Sequence, residues 1–175
     1  RAMNSGTWTR IDLLARNLAP FVTTVLFVVL SCLPIPLPGV GLIAPAIALM
    51  AVYYWSIQRP ELLPPVAVFI IGFVQDALSG GVLGLSPFVF LLVHALVVSQ
   101  RRFFLGKSFL LTWWGFSLVA VGAELVLWIL ASLVAVQLID PEAMAVQTLL
   151  TVALFPCVSW LLVRVHRAFL ASADA

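Results

Sequence analysis

The chain has 175 residues, of which 63% are hydrophobic and 9% charged, against roughly 45–50% and 25% in soluble domains. That composition excludes a soluble globular protein, and the long, continuous apolar runs exclude the alternating ~10-residue segments of an outer-membrane barrel. The net charge of +2 decides little; where the charges fall decides more.

Residues 1–17 carry Arg1, Arg10 and Arg16 around Trp8, the make-up of an interfacial turn or helix with its indole at headgroup level. A first apolar run covers about residues 18–33. Pro34, Pro36, Pro38 and Gly39 follow it; they cannot continue a helix and predict an uncharged loop. The second run, about 40–57, ends in Tyr53-Tyr54-Trp55 and leads into Gln58-Arg59-Pro60-Glu61. The third, about 62–78, is entered through Pro64-Pro65. A fourth run, about 82–98, holds Pro87 and His94 and stops at Gln100-Arg101-Arg102. After a basic aromatic link to Lys107, the fifth run spans about 109–136, longer than the ~20 residues a bilayer requires. Asp140-Pro141 signals a helix start, and the sixth run, about 144–165, ends among Arg164, His166 and Arg167.

Charge placement tests this count. With the N-terminus inside, every Lys and Arg falls in the N-terminal segment, the Arg59 loop, the Arg101–Lys107 loop or the C-terminal tail. Asp140 and Glu142 fall in an outer connection. The pattern obeys the positive-inside rule, whereas five spans would put Arg164 and Arg167 outside. The expected fold is an all-α integral membrane protein, one polytopic domain over residues 1–175. It has six transmembrane helices and cytoplasmic N- and C-termini.

The stretch 72–87 lies between two apolar runs and is the least lipid-like part of the chain. Gly72, Asp76, Gly80 and Gly84 recur at every fourth residue, a spacing that allows close helix approach. Gly80-Gly81 and Pro87 favour two helices joined by a hairpin over one continuous helix. A carboxylate facing hydrocarbon costs at least about 2.5–3.5 kcal/mol. Asp76 is therefore a contact for a partner, ion or solute, or else a structural acid that caps the Ser79-Gly80-Gly81 turn.

Glu124, in the middle of the fifth run, needs a partner across the bundle, loss of its charge or an aqueous crevice; functional and structural readings both stand. His94, two turns inside the cytoplasmic edge, reads as a packing histidine with its polar atoms satisfied. Ser86 and His94 do not make a nucleophile–base pair, because eight residues on one helix separate them by roughly 12 Å. Cys32 and Cys157 read as small packing residues whose depths differ too much for a disulfide. No metal pattern, phosphate-cradling glycine loop or nucleic-acid-sized basic face is present. No catalytic residue, cofactor or metal is expected, and no enzyme.

The segments Tyr53-Tyr54-Trp55-Ser56-Ile57-Gln58-Arg59-Pro60-Glu61 and Phe73-Val74-Gln75-Asp76-Ala77-Leu78-Ser79-Gly80-Gly81-Val82-Leu83-Gly84 resemble the bacterial MreD family of rod shape-determining proteins. The resemblance covers essentially the whole length. It implies a non-enzymatic inner-membrane subunit of the lateral cell-wall elongation machinery, supporting peptidoglycan synthesis and cell shape. The partners implied are the single-span protein MreC, the actin-like MreB, a RodA-type glycosyltransferase and a class B penicillin-binding protein. Asp76, Gly80, Gly81 and Gly84 match the family's motif, with Tyr54, Arg59 and Pro60 next.

Three readings follow, of which a lipid-intermediate transporter is the weakest, since every cation is cytoplasmic and no basic cavity for a pyrophosphate is visible. The first is a membrane scaffold that recruits a single-span partner through an intramembrane contact. The second is a solute-binding subunit of an energy-coupling-factor-type transporter, a class to which the family is similar in architecture. Asp76 or Glu124, or a pocket built from Trp113, Trp114 and Trp128, would then serve the solute. Solute sites need several convergent polar groups, and the deep ones here number two or three. The balance favours the scaffold.

Overall fold

The computed structural model describes residues 21–30, 35–37, 41–43, 45–104, 106–137 and 140–170. The interfacial segment expected at 1–17 and Cys32 lie outside them. Six helices appear among the described residues: α1 Phe21–Leu30, α2 Ile47–Gln58, α3 Pro65–Ser79, α4 Leu85–Phe104, α5 Phe109–Ala135 and α6 Pro141–Leu170. The helical architecture expected from composition is present, with one small departure. Between α1 and α2, β1 (Ile35–Leu37) and β2 (Gly41–Ile43) form a short antiparallel ladder, Ile35 opposite Ile43.

Three of the helices, α4, α5 and α6, are long and apolar enough to cross a membrane. Within the described residues α1, α2 and α3 are shorter than the ~20 residues a full crossing takes. The second span therefore differs from the expected 40–57. Residues 41–43 are strand and α2 starts at Ile47, because Pro45 disfavours helical backbone in the residue before it. Residues 60–62, the end of the Arg59 link and the first residue of the expected third run, form a separate 3-10 turn. Helix α4 continues to Phe104 instead of stopping near 98, carrying Arg101 and Arg102 in its last turn, where cations suit the helix dipole. Helix α6 starts at Pro141, with Asp140 Oδ1 accepting the Glu142 N–H at 3.0 Å, an N-cap followed by a proline in the first turn.

Ten consecutive residues of α2, 48–57, are buried. A helix that is apolar all round belongs in a core, and α2 is packed by α3, α4, α5 and α6. Helix α3 lies on α4, α4 on α5 and α5 on α6. Tyr53 is the hub. Its ring stands edge-on to Phe104, Phe116 and Phe155 at 6.3, 5.2 and 5.9 Å, and its hydroxyl donates to the Thr112 carbonyl at 3.1 Å. Such aromatic pairs add about 0.5–1.5 kcal/mol each beyond their buried area.

Two further bonds tie elements together where the sequence leaves backbone groups unpaired. Pro156 in α6 has no N–H to give the Val152 carbonyl one turn earlier; the Trp113 indole N–H of α5 donates to that carbonyl at 3.0 Å. At the start of α2, the Ala46 N–H donates to Thr151 Oγ1 of α6 at 3.1 Å.

Candidate functional site

The α3–α4 hairpin is built from the motif singled out in the sequence. Helix α3 ends at Ser79 with Gly80 in the left-handed region, φ 68°, which glycine enters without a Cβ penalty. Gly84, at φ 104°, turns the chain into α4. Gly81 has no such backbone requirement; a Cβ there would make ordinary contact with Ser79 Oγ at 3.5 Å. Close approach is set instead by Gly72. A Cβ on Gly72 would stand 2.5 Å from the backbone N and Cα of Pro87, so α3 and α4 touch there through backbone. Gly80 and Gly84 have open space where a Cβ would be, so the four-residue stripe is not one packing surface.

Asp76 is 3% exposed. Its Oδ2 accepts the Gly84 N–H at 2.8 Å and the Ser86 N–H at 3.2 Å, with Oδ1 3.3 Å from the latter. The acid therefore caps α4 across the hairpin, where N–H groups have no helical acceptor and negative charge is favoured. The turn capped differs from the Ser79-Gly80-Gly81 turn expected from sequence. There, Ser79 Oγ donates to the Asp76 backbone carbonyl at 3.4 Å. Pro87 falls in the first turn of α4, where a missing N–H leaves nothing unsatisfied. The Phe88 N–H returns to the Gly84 carbonyl at 3.3 Å.

The remaining motif residues lie at the opposite end of α3. Tyr54 is buried, edge-on to Trp55 at 5.4 Å. Arg59 caps α2 through its N–H to the Trp55 carbonyl and lies 3.9 Å from Glu61, itself 3.7 Å from Arg101. Pro60 opens the 3-10 turn. These ion pairs are substantially exposed, and pairs of that kind contribute little to stability. They do place the α2–α3 link beside the end of α4.

His94 and Glu124 have separate partners. His94 Nδ1 is 2.8 Å from Ser56 Oγ, while that hydroxyl donates to the Val52 carbonyl at 2.6 Å. Ser56 has one proton to give, so the ring donates through Nδ1–H. Glu124, 5% exposed, accepts from Gln147 Nε2 at 3.4 Å. No group of three His, Cys, Asp or Glu able to hold a metal occurs among the described residues. Cys157 is exposed, not buried as expected, because it faces outward on α6.

A cavity of about 510 Å³ opens between α2, α5 and α6, lined by Tyr54, Lys107, Phe155, Trp160 and others. It is not the tryptophan pocket considered from sequence. Trp113 is bonded to Val152 and Trp114 is 71% exposed. Tyr53, Gly72 and Pro156 are the residues sequence reasoning under-weighted. Of these, Gly72 carried the four-residue small spacing and Pro156 an unpaired carbonyl four residues before it, while Tyr53 carried no local signal.

Fold and site define a helical membrane protein whose buried acids serve hydrogen bonds between helices. The family model described as rod shape-determining protein MreD matches residues 13–165, and the chain belongs to that family. No curated protein and no solved structure matches it. Membership makes it a protein of rod-shape determination and gives the solute-transport reading no support.

Proposed function

We propose that the chain is a non-enzymatic, multi-pass subunit of the bacterial inner membrane that binds MreC and supports lateral peptidoglycan synthesis. It acts within a complex that includes MreB, a RodA-type glycosyltransferase and a class B penicillin-binding protein. The family match over residues 13–165 carries this reading. The state of the buried polar groups supports it: Asp76, His94 and Glu124 each have a protein partner, and those partners lie on different elements. They do not converge on one solute-sized space, as ligand-fixing groups do.

The same reading takes six spans with both termini in the cytoplasm. Arg59 and Arg101 share Glu61 at one end of the helices, and Asp76 latches the hairpin at the other. The positive-inside rule puts the arginine end in the cytoplasm. Helices α2 and α3 then cross together with flanking non-helical segments, which membranes tolerate where protein covers the backbone. In this account the Asp76–Gly84 hairpin is a fixed shape offered to the partner, Gly80 and Gly84 supplying the turn and Asp76 the bond that closes it. Tyr54, Arg59 and Pro60 fix the cytoplasmic edge.

Affinity purification of the tagged chain from mild detergent, with co-eluting membrane proteins identified by mass spectrometry, tests the proposal. Stoichiometric recovery of an MreC-type single-span protein is expected. Recovery of a transporter ATPase with its coupling subunit instead would overturn it.

A further inference from the structure

The cavity between α2, α5 and α6 lies at the arginine end of the helices. Its lining joins Gln58 and the exposed Lys107 to Tyr53, Phe155 and Pro156. From Val163 to Phe155 the α6 wall runs eight residues, on the order of 12 Å. Among the described lining residues Lys107 carries the only charge, and it is exposed. Arg164 adds a second cation to the cavity's surroundings, its guanidinium 4.9 Å from the ring centroid of the lining residue Trp160. Among the described residues the acid at this end is Glu61, and it is engaged by Arg59 and Arg101. A mostly apolar, aromatic slot whose lining holds a cation and, among the described residues, no acid suits an anionic head attached to a hydrocarbon chain. Basic pockets between membrane helices at the cytoplasmic face take such lipids, and indoles settle at headgroup depth.

We propose that this cavity is a binding site for one anionic phospholipid. Its phosphate meets Lys107 and Arg164 at the rim, and part of an acyl chain lies between Tyr54, Phe155 and Trp160. The site rests on the proposed topology only in that the arginine end meets the membrane surface.

The test is native mass spectrometry of the purified full chain in detergent, titrated with phosphatidylglycerol or phosphatidylcholine. One phosphatidylglycerol should be retained at least about fivefold more tightly than phosphatidylcholine, roughly 1 kcal/mol at RT ln 5. Lys107→Ala should abolish that preference, and Val163→Trp, which fills the slot, should remove tight binding of both lipids. Arg102→Ala, whose exposed side chain is not part of the lining, should leave the preference intact. Equal retention of the two lipids by the wild-type chain would overturn the site, as would equal effects of Lys107→Ala and Arg102→Ala. Absence of a tightly held lipid while the MreC-type partner is still recovered would remove the lipid site alone. Loss of the partner with the lipid preference intact would remove the scaffold reading alone.

Discussion

The Asp76 carboxylate on α3 accepts the backbone N–H groups of Gly84 at 2.8 Å and Ser86 at 3.2 Å, at the first turn of α4. A residue eight positions upstream thus does for α4 what an N-cap side chain ordinarily does from the adjacent position. The bond also crosses the hairpin, so the relative placement of α3 and α4 depends on it as much as the end of α4 does. A buried acid in an apolar region is stable there because its partners are backbone groups that would otherwise be unpaired.

Asp76→Ala removes both bonds and should lower stability by about 2–3 kcal/mol. Asp76→Asn keeps an acceptor oxygen, and Asn caps helices about as well as Asp, so it should retain most of that stability. Thermal unfolding of both variants in the same detergent checks the order. An alanine variant as stable as the asparagine variant would contradict the latch.

Gly72 and Gly81 should respond differently to the same change. A Cβ at Gly72 meets the Pro87 backbone at 2.5 Å, atoms that cannot swing aside. Gly72→Ala should therefore destabilise by about 1–3 kcal/mol through overpacking. At Gly81 the nearest atom is Ser79 Oγ at 3.5 Å, and Gly81→Ala should be neutral to within about 0.5 kcal/mol. Urea or thermal melts of the pair decide the matter, and equal losses at both positions would refute the packing assignment.

Trp113 and Pro156 form a pair through a third group, the Val152 carbonyl. Trp113→Phe should leave that carbonyl without its donor and cost about 1–3 kcal/mol. Pro156→Ala restores a backbone N–H able to bond Val152 within α6, so the double variant should recover most of the loss. A double-mutant cycle on unfolding free energies measures the coupling. Additive losses would mean the indole bond is incidental.

The hairpin was legible in the sequence because its signals are local: Gly80 needs a left-handed backbone, and Pro87 needs a first turn. Asp76 was legible as an unusual residue but not as a cap of α4, since its acceptor role spans eight and ten residues and depends on how two helices lie together. The start of α2 was misplaced because residues 40–46 are as apolar as a span. Pro45 breaks the helical path there, and the stabilising contact comes from Thr151, more than a hundred residues away. In the sequence Tyr53 is one of three aromatics that end the second run. Its hub position follows from four helices closing around α2, which hydropathy alone does not encode.

The central claim is that Asp76 serves shape determination through structure and not through its charge. Cell shape, in a rod-shaped host whose own copy is replaced by Asp76→Asn at matched membrane levels, tests it most directly. The account predicts rods, with Asp76→Leu giving rounded cells because no acceptor remains for the Gly84 and Ser86 N–H groups. Rounded cells from Asp76→Asn, with the protein present at normal level and folded, would contradict the account. They would make the carboxylate itself the working group.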